Sequence, residues 1–443
     1  MKSLKSLKSL NKTYFTILIN ILLTIPIIYT AEIFLAYKEY NLEFGEKFSG
    51  YKNNKSFSYD PKHPFQVSNF PNRQSIKDFS KNNGIKLYER LSPGALIYTN
   101  GININKKSLF PLTSFSNTDI LFGHESGFWI TYKSDNFGFR NPQGTWKNNN
   151  PDILFLGDSF THGAYVEEED TFSGVARVQG LSAINLGIGG TGPLLQLAAY
   201  REYVNYNNVK PKILAWVFFA EDIRDLVAEF KSSSILRNYL KDDNYNQRLV
   251  SRKDEIEELL RIYQNYEYPM LLKEQKEKRS QRKKEIQIGL IRKTIKLFHL
   301  KRLIKHQVST LSNPNKEMIK EPNTELMLEL FNDVIKSMKK ESEKTNSKLV
   351  FIYLPTWSQF GNNVDSYGIN TQSSNYLIKE NILKTIKDKD IDLIDLTIKI
   401  EEKGKDKAGE YYNYNRYGHF NPNGYNSVAK YISEQLKTIL EEN

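Results

Sequence analysis

The sequence predicts an α/β protein, a three-layer α/β/α sandwich around a parallel sheet of about five strands. Three observations carry this. The apolar runs Ile153–Leu156, Ile213–Phe219 and Lys348–Leu354 are short and rich in β-branched and aromatic residues, as strands buried on both faces are. Stretches with helical spacing separate them, which parallel strands need for their crossovers. Glycine-rich turns follow the first two strands, at Gly157-Asp158-Ser159 and Gly187–Gly192.

Taken in order, the chain opens on Lys2, Lys5, Lys8 and Lys12 with no acid before Tyr14. Tyr14 to Tyr37 is almost wholly apolar, broken by Asn20, Pro26 and Glu32. That length matches a bilayer core of roughly 30 Å, and the lysines ahead of it favour a cytoplasmic N-terminus. The reading is a single-pass anchor with the main domain extracytoplasmic, on the periplasmic side of a bacterial inner membrane. A cleaved signal peptide is the alternative. The bulky Tyr29 in Tyr29-Thr30-Ala31 makes a poor small-x-small cleavage site.

Residues 38–149 read as a polar stalk and an irregular lead-in. Within them Phe128, Ile130 and Tyr132 alternate as a strand would, and Asp135-Asn136 with Gly138 mark a turn. The α/β pattern runs from 150 to 443. After the strand Ile153–Leu156 come a helix over Thr171–Val178, a strand over Ala183–Leu186 and a helix over Leu194–Tyr203. The strand Ile213–Phe219 and a helix from Asp222 follow. A basic helical insertion of about ninety residues, 231–320, interrupts the pattern. It resumes with a helix near Glu325–Ser342, the strand Lys348–Leu354, a helix over Leu377–Lys387 and a strand over Ile391–Leu396. Tyr425–Leu440 closes the chain, with Val428, Tyr431, Ile432 and Leu436 on one helical face.

Composition sets outer limits. At 443 residues, 39% hydrophobic and 26% charged, the chain is globular. It has no cysteine, which excludes disulfides, thiol nucleophiles and cysteine metal sites. The net charge is +11, but Lys273 to Lys305 alone holds thirteen Lys or Arg against three Glu. The excess is therefore local. It suits contact with an anionic membrane surface or an acidic glycan, or a solvated helix face, and nucleic acid is a poor partner for an exported chain.

Chemistry concentrates at Ser159, which ends a buried strand at the edge of the predicted sheet, where ligands of α/β proteins bind. A nucleophilic serine needs a base and an oxyanion hole. Of six histidines, His419 stands on a loop before the last helix, from which it can reach that edge. His162 reads as a bystander on the turn after Ser159, and Asp158 as a residue that holds the turn. No cluster of His and carboxylates has metal-ligand spacing, and no cofactor is called for.

Gly157-Asp158-Ser159-Phe160-Thr161, Asn185-Leu186-Gly187-Ile188-Gly189-Gly190-Thr191, the strand before Asp222, and His419-Phe420-Asn421-Pro422-Asn423-Gly424 occur in that order. Together they resemble the SGNH/GDSL hydrolase superfamily of esterases, lipases, carbohydrate deacetylases and some acyltransferases. The likeness covers about 150–230 and 320–443. The anchor and Tyr132-Lys133-Ser134-Asp135-Asn136-Phe137-Gly138-Phe139-Arg140 look like bacterial membrane-anchored members linked to cell-surface polysaccharide. The resemblance implies Ser159 as nucleophile and oxyanion-hole donor, Gly190 as a second backbone donor, and His419 as the base.

Two positions depart from the family pattern. Its oxyanion asparagine is replaced by Glu221, which when ionised donates no hydrogen bond and repels an oxyanion. The aspartate three residues before the histidine is replaced by Arg416, which cannot hold an imidazolium. A backbone carbonyl, Glu410 or Asp406, or the neutral Asn413 or Asn415, are the alternatives for orienting His419. The functional expectation is an extracytoplasmic serine acyl-ester hydrolase or O-acyltransferase acting on a glycan. The alternative is a catalytically degenerate scaffold or glycan-binding protein of envelope polysaccharide assembly.

Overall fold

The computed structural model describes residues 73–302 and 324–442, apart from 105–106, 126–127, 357–358, 361–372, 403 and 414–417, together with Tyr14, 19–20, 22–37 and Ile304. The chain divides into two compact units.

The larger unit comprises 57–268, 319–362 and 372–443. Its strands, in chain order, are β1 (Leu87–Glu89), β2 (Ile102–Ile104), β3 (Lys107–Leu109), β4 (Asp119–Gly123), β5 (Ile130–Lys133), β6 (Ile153–Gly157), β7 (Ala183–Asn185), β8 (Ile213–Phe219), β9 (Lys348–Leu354) and β10 (Asp392–Asp395). The last five form one parallel sheet in the order β7-β6-β8-β9-β10. Five parallel strands are what the sequence predicts, and β6 to β9 are buried almost throughout, while the edge strand β10 is only partly buried. On β8, Ala215 and Val217 belong to the core cluster that includes Val428, Ile432 and Leu436. The intervening Trp216 and Phe218 meet Phe351, and Phe218 meets Phe331, on the opposite face.

The helices among the described residues are, in chain order, α1 (Arg73–Asn82), α2 (Ser159–His162), α3 (Phe172–Val178), α4 (Pro193–Ala199), α5 (Asp222–Ser232), α6 (Ser234–Lys241), α7 (Lys253–Ile262), α8 (Tyr268–Ile295, which from Pro269 on belongs to the smaller unit), α9 (Thr324–Lys344), α10 (Ser373–Lys387), α11 (Leu396–Glu401) and α12 (Pro422–Glu441). Helix α12 packs on α3, and α9 packs on α5. From β6 the chain moves outward to β7, then returns to place β8 on the other side of β6. The strand order therefore reverses at β6, and its carboxyl end opens the crevice where α/β sheets bind ligands. Ser159 begins there.

The lead-in is more regular than the polar text predicts. Strands β1, β4 and β5 form a three-stranded sheet, with β1 parallel and β5 antiparallel to β4. The stretch after β5 ties this sheet to the turns at the carboxyl ends of β6 and β7. Asp135, fully buried, accepts from the Phe137 and Phe139 N–H groups, Asn141 Nδ2 and Trp146 Nε1 at 2.7–3.0 Å. Arg140, also buried, donates to the carbonyls of Gly163 and Val166, which close the Ser159 turn. Asn141 bonds both backbone groups of Asn185 at the end of β7. The Asp-Asn-Phe-Gly-Phe-Arg-Asn text is thus a brace for the turns after β6 and β7.

The smaller unit comprises 1–56, 269–318 and 363–371. Residues 22–37 are helical. Among the described residues no helix is long and apolar enough to cross a membrane, and 15–18 and 21 lie outside the described residues. Glu32 is buried and accepts from the N–H groups of His299 and Leu300, with His299 Nδ1 2.6 Å away. A carboxylate in an apolar segment needs such partners to be buried at all.

Truncating Asp135 strands four donors at once, three of them buried. Asp135→Ala should lower stability by at least about 3 kcal/mol, read as a drop in the urea midpoint.

Candidate active site

Ser159 starts the four-residue helix α2 directly after β6. The turn is fixed from both ends. A Cβ on Gly157 would lie 2.2 Å from Thr161 Oγ1 and 2.6 Å from the Val217 carbonyl, so only glycine fits. Asp158 caps the helix by accepting from the Phe160 N–H at 2.9 Å, the turn-holding role its position suggests. Gly163 ends the helix with φ +78°, a left-handed position.

His419 reaches the serine from the loop before α12, with Nε2 2.8 Å from Ser159 Oγ. The His-Phe-Asn-Pro-Asn-Gly text explains its aim. Phe420 is buried against Phe160, Tyr412 and Tyr425. Asn421 caps α12 by accepting from the Gly424 N–H, and Pro422 opens the helix. Gly424 passes so close to Tyr411 that a Cβ would stand 2.2 Å from its carbonyl oxygen. The imidazole itself packs between Phe160 and Tyr165.

The group that orients His419 is Glu125, which no sequence argument singled out. Its Oε1 lies 3.0 Å from His419 Nδ1, and its Oε2 accepts from the His419 N–H at 2.9 Å and from Asn413 Nδ2 at 3.2 Å. Burial pushes the Glu125 carboxyl up, but the charge and hydrogen bonds of His419, with Asn413, pull it below its ordinary value. It is therefore an ionised acceptor. Of the candidates read from sequence, Glu410 is exposed, while Arg416, Asn415 and the side chain of Asp406 lie outside the described residues. Asn413 serves Glu125 rather than the histidine ring.

The Gly187–Gly192 loop runs beside the serine. His162, expected to be a bystander, is buried here. Its Nδ1 accepts from the Gly189 N–H at 3.1 Å and its Nε2 stands 3.0 Å from the Tyr132 hydroxyl. Burial, then the charges of Arg90 and Arg140, hold it well below the ordinary histidine range, so it is neutral with its proton on Nε2. Gly190 is exposed, with φ +79°. Its glycine requirement comes from this backbone and from Ser92 Oγ, 2.3 Å from where a Cβ would stand. Glu221 is exposed before α5; its carbonyl accepts from the Arg224 N–H at 2.9 Å, and its side chain makes no hydrogen bond or ion pair among the described residues. Buried in its place is Asp222, which accepts from Gln196 Nε2 at 3.3 Å. No group of three or more His, Asp or Glu among the described residues could hold a metal.

Two solved structures similar to this chain are described as a lipolytic protein of the G-D-S-L family from Desulfitobacterium hafniense DCB-2 and an acetyl xylan esterase, AlAXEase. The first shows 12% identity and a TM-score of 0.34, over 65% of this chain and 99% of its own. The second shows 14% identity and a TM-score of 0.31, over 64% and 98%. No protein-family model and no curated protein matches the chain.

Asp158 yields a pH test. Burial raises its carboxyl to about 6 from an ordinary 3.8, against the Phe160 N–H that pulls it down. Between those values the folded state holds a proton that the unfolded state releases, so this group makes stability fall as pH rises from about 4 to 6. Glu125 acts in the opposite sense, its contribution being lost as pH falls through its lowered range. Asp158→Asn keeps the cap and should flatten the first effect, removing on the order of 2–3 kcal/mol of pH dependence in urea unfolding.

Proposed function

We propose that the chain is a serine acyl-ester hydrolase or O-acyltransferase working through an acyl-enzyme on Ser159. One observation carries the reading: a continuous line from the Glu125 carboxylate through both nitrogens of His419 to Ser159 Oγ. An ionised carboxylate against Nδ1 keeps the proton there and leaves Nε2 as the acceptor facing the hydroxyl.

In the proposed reaction Ser159 Oγ attacks the ester carbonyl carbon while its proton passes to His419 Nε2. The tetrahedral oxyanion is met by the N–H groups of Ser159 and Gly190. Its collapse breaks the bond to the leaving oxygen, which takes the proton back from His419. Water or a sugar hydroxyl then gives its proton to His419 and attacks the acyl-enzyme; collapse breaks the bond to Ser159 Oγ, which takes that proton back from His419 as the acid or the acylated sugar leaves. Ser159 Oγ also lies 3.2 Å from Asp158 Oδ2, but its single proton serves one acceptor at a time. The productive arrangement is the one with neutral His419.

The finer reading places this chemistry on an acylated glycan outside the cytoplasm, with the chain held at a membrane. In favour of membrane attachment, helix 22–37 exposes Leu22, Leu23, Ile25, Ile27, Ile33 and Phe34. Helix α8 exposes Ile288, Ile291 and Ile295 beside the lysines and arginines of Lys273 to Lys305, the composition of a helix that lies on an anionic lipid surface. A catalytically degenerate scaffold is disfavoured by the three aligned side chains, which a binding role does not require.

A fluorophosphonate probe separates the readings. It should label the wild type at Ser159, and Ser159→Ala should abolish labelling. Glu125→Gln should slow it by about 10³- to 10⁴-fold through loss of the histidine's orientation and charge partner. A folded wild type that resists the probe would leave the scaffold reading standing.

A further inference from the structure

We propose that Arg90, with Ser92, is a positioning residue of the oxyanion hole, fixing the Gly189 carbonyl and thereby aiming the Gly190 N–H. This rests on the reading of Ser159 and Gly190 given above.

The carbonyl of Gly189 and the N–H of Gly190 belong to one planar trans peptide unit, in which they point in opposite directions. Holding the oxygen therefore sets the direction of the N–H. Arg90 Nη1 donates to the Gly189 oxygen at 2.8 Å, and Ser92 Oγ donates to it at 3.2 Å. The Gly189 N–H is held in turn by His162. A Gly-Gly step is the softest backbone available, and without these three bonds its central peptide would rotate freely. The Gly190 N–H itself makes no hydrogen bond among the described residues, as a donor reserved for a transient oxyanion should.

The contacts around the step are close enough to make the arrangement specific. A Cβ on Gly94 would stand 2.0 Å from the Gly190 oxygen, so the segment after Arg90 lies directly on the loop. A Cβ on Gly189 would stand 2.6 Å from Arg90 Nη1 and 3.4 Å from Ser159 Cβ, so the guanidinium and the serine flank the same glycine. The Arg90 guanidinium is steadied 5.0 Å over the Phe122 ring and borders a cleft of about 90 Å³ lined also by Arg73, Glu89 and Ser92. Arginine stays protonated at any working pH, so its bond to the carbonyl is charge-assisted and polarises the peptide toward a stronger N–H donor. The cation also adds positive potential where Glu221 supplies none.

The test uses the full chain and the neutral ester p-nitrophenyl acetate, with fluorophosphonate labelling in parallel. Arg90→Gly should lower kcat about 100-fold with KM changed less than about threefold, and added guanidinium should restore part of kcat. Ser92→Ala should lower kcat by a smaller factor, and Arg90→Lys should fall between wild type and Arg90→Gly. Both serve as the test should Arg90→Gly not fold. Wild-type kcat in Ser92→Ala and Arg90→Lys would overturn the proposal, as would a loss confined to the KM of anionic esters, which would make Arg90 a substrate-reading residue. If the wild type turns over and labels while Arg90→Gly does so equally fast, this proposal alone fails. If Ser159 of the wild type is inert, the reading of the site fails with it.

Discussion

An imidazole relays a proton best when one nitrogen is free to accept and the N–H of the other is held by a fixed acceptor. In this protein that constraint is met by Glu125, which grips His419 twice, through Nδ1 and through the backbone N–H. The second bond matters as much as the first. It fixes the loop that carries the ring, so that ring orientation and loop position are set by one carboxylate. Asn413, bonded to the Phe420 carbonyl and to Glu125, closes the circuit. The aromatic walls of Phe160 and Tyr165 then limit the ring to the plane that faces Ser159.

The α/β framework alone delivers only half of this arrangement. Strand β6 presents Ser159, and the approach to α12 presents His419. Glu125 comes from the lead-in, just past β4, and so do Arg90 and Ser92, which hold the Gly189 carbonyl. The lead-in is bound to the α/β part by buried polar contacts that tolerate no slippage, above all Arg140 to the Gly163 and Val166 carbonyls and Asn141 to Asn185. Two turns of the sheet edge and two elements of the lead-in therefore behave as one polar network. Such networks specify a single arrangement because each unmade bond would leave a buried group unsatisfied.

This division explains what could be read from the sequence. The strands β6, β8 and β9 were legible because burial on both faces makes each a nearly continuous apolar run, and glycine and asparagine marked the turns. Ser159 and His419 were legible because their motifs encode local geometry: a glycine without room for a Cβ, a helix cap, a proline at a helix start. Glu125 had no such signal. It lies 294 residues from His419, and nothing in Gly123-His124-Glu125 distinguishes it from a surface turn. His162 misled for a related reason, since its partner Gly189 is close only after β6 and β7 pair. Glu221, read as standing where the family has its oxyanion asparagine, is turned to solvent, and Asp222 beside it is buried.

The origin of the acid has a consequence for how the site assembles. An aspartate three residues before the histidine would be carried on the same loop and would arrive with it. Here the histidine's own loop offers Arg416, and the charge that orients the ring must be brought by a separate sheet. Glu125 is half-buried, and burial alone would push its carboxyl up, so its lowered range depends on His419 and Asn413. Conversely, the His419 loop has no other described carboxylate to hold it. Each therefore stabilises the other's working state. The line Glu125–His419–Ser159 depends on the lead-in as well as on the sheet edge, and removing the Glu125 contacts would leave His419 without the carboxylate that orients it.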